Sequence, residues 1–104
     1  MNWDEHTPYL LTRTSVLRNA SEVSGVYGLR DGNNWIYIGE CPNVQRALLE
    51  CLGGRVPCVL QFQPRVFVFE PCPPRHRKAR QRELAQIYKP ACNKKFFIQA
   101  AVPS

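Results

Sequence analysis

The chain has 104 residues, of which 44% are hydrophobic and 21% charged, the balance of a globular domain with a single core. It contains no apolar run near the roughly 18 residues that cross a bilayer, which excludes a helical membrane span. Its net charge of +6 is uneven: residues 1–40 hold Arg13, Arg18 and Arg30 against five carboxylates (3 − 5 = −2), and residues 41–104 hold eleven Lys/Arg against Glu50, Glu70 and Glu83 (11 − 3 = +8).

A basic half beside a mildly acidic one suits a polyanion bound on one side of the domain. The five cysteines, Cys41, Cys51, Cys58, Cys72 and Cys92, are odd in number and include no C-x-x-C pair. A tetrahedral zinc site draws two ligands from such a pair, so structural zinc is not expected. Reduced thiols packed as small apolar groups are expected instead, and with them a reducing, cytoplasmic setting. The first residues, Met1-Asn2-Trp3-Asp4-Glu5-His6, are acidic and polar, unlike a secretory signal.

Residues 9–17 are partly apolar without a clean period and read as a short strand or helical turn in an N-terminal docking arm, residues 1–23. Ser24-Gly25-Val26-Tyr27-Gly28-Leu29-Arg30 follows as a strand, with Tyr27 and Leu29 two apart. Asp31-Gly32-Asn33-Asn34 is a hairpin turn signal, since these residues suit tight turns. Trp35-Ile36-Tyr37-Ile38-Gly39 is the return strand, aromatic and β-branched.

Pro42-Asn43 opens a helix reaching residue 52, with Val44, Leu48, Cys51 and Leu52 on one face, and Gly53-Gly54 stops it. Residues 58–63 and 66–69 read as strands on either side of Pro64. Pro73-Pro74 starts a second helix over residues 75–88, which Pro90 ends. The tail, residues 96–104, begins with an apolar stretch expected to pack as a strand before fraying. The pattern predicts an α/β (α+β) domain, a small antiparallel sheet flanked by helices.

The words Gly25-Val26-Tyr27 and Tyr37-Ile38-Gly39 stand on paired strands, and Glu83, Pro90 and Asn93 close the unit at spacings of seven and three. This order resembles the GIY-YIG family of nucleases over residues 24–95. The resemblance implies a divalent-metal-dependent phosphodiester hydrolase acting on DNA, with one Mg or Mn ion. In such a site the first tyrosine helps to activate water, an arginine steadies the scissile phosphate and a glutamate holds the metal. A cation and a guanidinium are the groups that offset charge building on phosphate oxygens. Carried over residue by residue, Tyr27 and Tyr37 match the two tyrosines and Glu83 the metal position, while Gly25, Gly39 and Asn93 match structural positions of the motif.

Three positions depart from the pattern. The family's arginine stands eight residues beyond the second word, where this chain has Ala47, and Arg46 lies one residue short. One step along an α-helix turns a side chain by about 100°. Cys51 occupies a position where many members have histidine, and Glu40 places a carboxylate beside the phosphate site. The alternative is therefore a catalytically inactive domain that binds nucleic acid or an acidic protein partner. Arg75, Arg77, Lys78, Arg80 and Arg82 would supply the phosphate contacts. With no separate recognition domain in view, specificity would come from a partner or from substrate shape.

Overall fold

A computed structural model describes Trp3 and residues 6–93. The N-terminal arm resolves into both elements that its sequence allowed. Strand β1 (Tyr9–Leu10) leads into helix α1 (Arg13–Asn19), whose start is capped by the Thr12 hydroxyl accepting from the Ser15 N–H at 3.2 Å. The hairpin forms as expected: β2 (Gly25–Asp31) pairs antiparallel with β3 (Asn34–Cys41), with Tyr27 opposite Gly39. Helix α2 (Val44–Leu52) is capped by Asn43, whose Oδ1 accepts from the Arg46 N–H at 3.0 Å.

One expected strand is a helix. Residues 58–63 lie mostly within α3 (Pro57–Phe62), which Pro57 starts and a left-handed Gln63 ends. The segment read as a strand from its sequence, but only Val59 is buried within α3. A proline at the first helical position loses no hydrogen bond there, and it decides the backbone where packing is weak. Strand β4 (Val66–Pro71) follows, then a 3-10 turn (Pro74–His76), helix α4 (Arg77–Tyr88) and a last turn (Ala91–Asn93). The expected tail strand lies outside the described residues.

The sheet is mixed with helices in an α+β arrangement, entirely antiparallel, in the order β1-β4-β2-β3. Because side chains alternate along a strand, it has two faces and two cores. One face carries Tyr27, Leu29, Cys41 and Phe67 against Val16, Val44, Leu48 and Cys51 of α1 and α2. The other carries Val26, Ile38 and Val68 against Trp3, Cys72 and Leu84 of α4. The buried area follows the sequence: each apolar residue of β2 supplies one core or the other.

Among the described residues β3 is an edge strand, and the outward backbone groups of Ile38 are matched by side chains. The buried Asn93 amide accepts from the Ile38 N–H at 2.7 Å and donates to the Ile38 carbonyl at 2.9 Å. Gln81 Nε2 donates to the same carbonyl at 2.9 Å. Asn93 thus stands in for a fifth strand, which covers an edge that would otherwise invite pairing.

The cysteines differ from the expectation of reduced thiols throughout. Cys58 and Cys92 form a disulfide across 34 residues, while Cys41, Cys51 and Cys72 are free and buried. Sequence spacing does not show that α3 and the last turn meet, so this pair was not legible beforehand. Among the described residues, no helix is long and apolar enough to cross a membrane.

Candidate functional site

The face of the sheet covered by α2 opens into a cleft of about 600 Å³, lined among others by Tyr27, Tyr37, Cys51, Arg46, Glu50 and Arg55. Tyr27 reaches it from β2 by lying over Gly39. A Cβ on Gly39 would stand 2.5 Å from the Tyr27 ring, so the glycine of the second word is where the tyrosine of the first word fits. The two rings lie 6.0 Å apart between centroids, and the Tyr27 hydroxyl is 3.7 Å from Cys51 Sγ. Gly25 is needed for a separate reason, since a side chain there would strike the Glu70 carbonyl on β4.

Burial sets the ionisation of these groups. It pushes the Tyr27 phenol far above its ordinary value, and the neighbouring Cys51 and Tyr37 act in the same direction. Burial also raises Tyr37 and Cys51, with Arg55 acting in the opposite sense on both. The Cys41 thiol is pushed up to about 11. Neutral phenols donate hydrogen bonds and do not take protons from water, while neutral thiols are poor nucleophiles.

The one-residue offset from the family arginine pointed Arg46 beside the site; it lies at the lining of the cleft with a side chain 79% exposed. Its Nε lies 3.6 Å from Glu50 Oε2. Arg55 approaches the same carboxylate from the other side, with Nη1 2.6 Å from Oε1. The turn after α2 explains how it gets there. The Gly54 N–H donates to the Cys51 carbonyl and the Arg55 N–H to the Glu50 carbonyl, both at 3.1 Å, with Gly54 at φ 92°. This is the paired bonding of a glycine helix stop, and it folds Arg55 back beside the last turn of α2. Sequence reading missed Arg55; the Gly53-Gly54 pair was the signal that could have found it.

Glu40, at the rim of the cleft, is tied to α4: Arg77 Nε donates to its Oε1 at 2.8 Å, and Arg77 Nη1 donates to the Ser24 hydroxyl at 3.0 Å. Its charge is thereby offset beside the site.

Glu83 is not brought to the tyrosines. It projects from α4, in the layer on the other side of the sheet, and accepts from Arg80 Nη1 at 2.9 Å. Arg80 in turn holds Glu70 by two bonds of 2.9 Å, and Glu70 also accepts from Trp3 Nε1 at 2.9 Å. That placement does not fit one metal ion shared by Glu83 and the tyrosines. Among the described residues, no three His, Cys, Asp or Glu side chains gather in a metal-binding group.

The five cations of residues 75–82 divide. Arg77 and Arg80 turn inward, with side chains only 18% and 15% exposed, and hold the carboxylates Glu40, Glu70 and Glu83. Arg75, Lys78 and Arg82 are exposed and make no ion pair among the described residues. Lys78 and Arg82 are four apart, which places them on one stripe of α4, and the exposed Lys89 follows as its left-handed C-cap.

No family model, no curated protein and no solved structure matches this chain.

Proposed function

We propose that this chain is a GIY-YIG-like domain that binds the phosphate backbone of nucleic acid, DNA foremost, and does not hydrolyse it. The observation that carries the reading is the division of cations on α4. Two are spent on internal carboxylates, and the rest face outward: Lys78 and Arg82 as a stripe on α4, with the exposed Arg75 in the turn before it and Lys89 at its C-cap. Flexible cations without an internal partner are free to replace the counterions of a polyanion. The loss of hydrolysis is supported by Glu83, held by Arg80 on the far side of the sheet from Tyr27 and Tyr37, and by the absence of an arginine at position 47.

A hydrolase using Mg or Mn is the second reading, and one observation favours it: Tyr27, Tyr37, Arg46 and Arg55 share one cleft. A protein partner supplying specificity is compatible with either. A cytoplasmic setting is supported by the three free buried thiols, while the Cys58–Cys92 bridge weighs against it.

The test is duplex DNA binding over a salt series, beside cleavage of supercoiled plasmid with Mg²⁺ or Mn²⁺. Binding should weaken with a log–log slope of roughly three to four, one counterion for each outward cation. Plasmid should stay intact. Cleavage by the wild type that is lost in Tyr27→Phe and Glu83→Ala would establish the hydrolase reading. Binding to an acidic protein but to no nucleic acid would replace both readings with a scaffold.

A further inference from the structure

A second cavity, of about 440 Å³, opens beside the β2–β3 turn and shares no lining residue with the tyrosine cleft. Trp35, Phe62 and Tyr88 bring three aromatic rings to it, and Asp31 and Lys89 bring one charge of each sign. We propose that this cavity holds an unpaired nucleobase of a nucleic-acid strand. The base stacks on Phe62, its amino group donates to Asp31, and Lys89 meets the adjoining phosphate. The proposal deepens the reading above, since it rests on a nucleic-acid ligand.

The aromatic wall is assembled by departures from regular structure. Trp35 and Tyr37 are two apart on β3 and would share a face of a regular strand. Yet Tyr37 packs with the α2 core and Trp35 with the α4 core. The reason is a bulge: Leu29 pairs with Tyr37 and Arg30 with Trp35, so Ile36 is an extra residue that turns Trp35 to the other side. There its ring meets Tyr88 at 4.5 Å between centroids. Phe62 and Tyr88 each end a helix, and each is followed by a left-handed residue, Gln63 at φ 50° and Lys89 at φ 47°. Glycine is the residue of least cost at such a stop. A lysine there keeps a cation at the rim of the cavity at the expense of the backbone.

The rim and the rings together complement a nucleotide. Trp35 and Tyr88 already lie against each other, and Phe62, 47% exposed, is the ring left open to a planar ligand. Asp31 lies 4.0 Å from Arg65 in an exposed pair, which is weak and leaves the carboxylate able to accept from a base. Asn33 and Asn34, exposed on the turn, add amide donors and acceptors. The cavity is also held open. Val59 is the one buried side chain of α3, but Cys58 bridges that helix to Cys92, beside the lining residue Ala91. The bridge therefore sets the Phe62 wall against the last turn. Bases inside a duplex are stacked on both faces, so the cavity selects an end, a loop or a junction.

The test is titration of the full chain with deoxycytidine and deoxythymidine trinucleotides, followed by the ring NMR signals of Phe62, Trp35 and Tyr88. Those signals should move. Phe62→Ala should weaken binding by about tenfold, the loss of one stacked base, and leave duplex binding unchanged. Cytosine carries an amino group that thymine lacks, so the cytidine trinucleotide should bind roughly fivefold tighter, and Asp31→Ala should erase that preference. Lys89→Gly should lower the salt slope by about one while raising the melting temperature, which a merely structural lysine would not do. Deoxycytidine monophosphate separates the sources: tighter binding of the trinucleotide assigns a strand, and tighter binding of the monophosphate would overturn it. Unmoved Phe62 signals, unchanged binding in Phe62→Ala or equal affinity for the two trinucleotides would also overturn the proposal. Duplex binding without any response at Phe62 removes this site alone, whereas a Phe62 response without duplex binding removes the duplex reading and keeps the site.

Discussion

The two faces of the sheet use the same residue types to opposite ends. On the α4 face every charge near the core is closed into a network: Trp3 and Arg80 hold Glu70, Arg80 also holds Glu83, and Arg77 holds Glu40. The Trp3 and Trp35 rings pack against Gly28, where a Cβ would meet them at 2.5 and 2.6 Å. On the α2 face a glycine does the same for Tyr27, yet the layer above it stops short and leaves a cleft. There the arginines are exposed and share one carboxylate. Ion pairs half-hidden from water hold a structure together, while exposed ones are exchangeable. The difference marks the buried charges beneath α4 as framework and the exposed pairs beside the α2 cleft as exchangeable.

The largest expected effect comes at β3, the strand whose outer edge Asn93 pairs. Asn93→Ala deletes the amide that satisfies β3 and leaves the Ile38 N–H buried without its partner. A loss of about 3 kcal/mol is expected, read by denaturant unfolding. A change under 1 kcal/mol would mean that water replaces the amide.

Breaking the Cys58–Cys92 bridge should cost about 2–4 kcal/mol, the usual range for a disulfide. Hydrogen exchange should quicken first in residues 53–63, on the cleft face. Uniform quickening across both faces would make the bridge a general staple.

Glu70→Gln tests the framework face. Burial alone would raise this carboxyl, but the bonds from Arg80 and Trp3 prevail and hold it below its ordinary value. A carboxylate with a lowered folded pKa stabilises the fold above its unfolded value of about 4.3, and that contribution disappears as pH falls through the folded value. Glu70→Gln should therefore cost about 1–2 kcal/mol at pH 7. The gap from wild type should close in acid below about pH 4, as followed by melting temperature. A gap that persists at pH 2 would locate the effect in packing.

The smallest effect on stability belongs to the stripe. Lys78→Ala with Arg82→Ala should leave the melting temperature unchanged and lower the salt slope of duplex binding by about two. Arg77→Ala should do the reverse, destabilising the fold with little change in slope, because its charge is already spent on Glu40. Equal slopes in the two variants would remove the distinction between inward and outward cations.

The amino-acid sequence by itself determined the hairpin, the α2 helix with its Asn43 start and Gly53-Gly54 stop, the second helix between its prolines, and the antiparallel sheet with helices. Each rests on short-range chemistry: alternation, capping and the fixed φ of proline. It also marked Tyr27, Tyr37 and Arg46, which meet in one cleft because alternation sends both tyrosines to the same face. Tertiary structure decided the rest. Whether the apolar residues 58–62 form strand or helix depends on what packs against them. The closeness of Cys58 and Cys92 depends on where two distant turns meet. Glu83 and Arg80 are neighbours on a helix in either case, but only the choice of sheet face sets Glu83 apart from the tyrosines. Spacing along a chain fixes which side of its own element a residue occupies, and the packing of that element decides what the residue can reach.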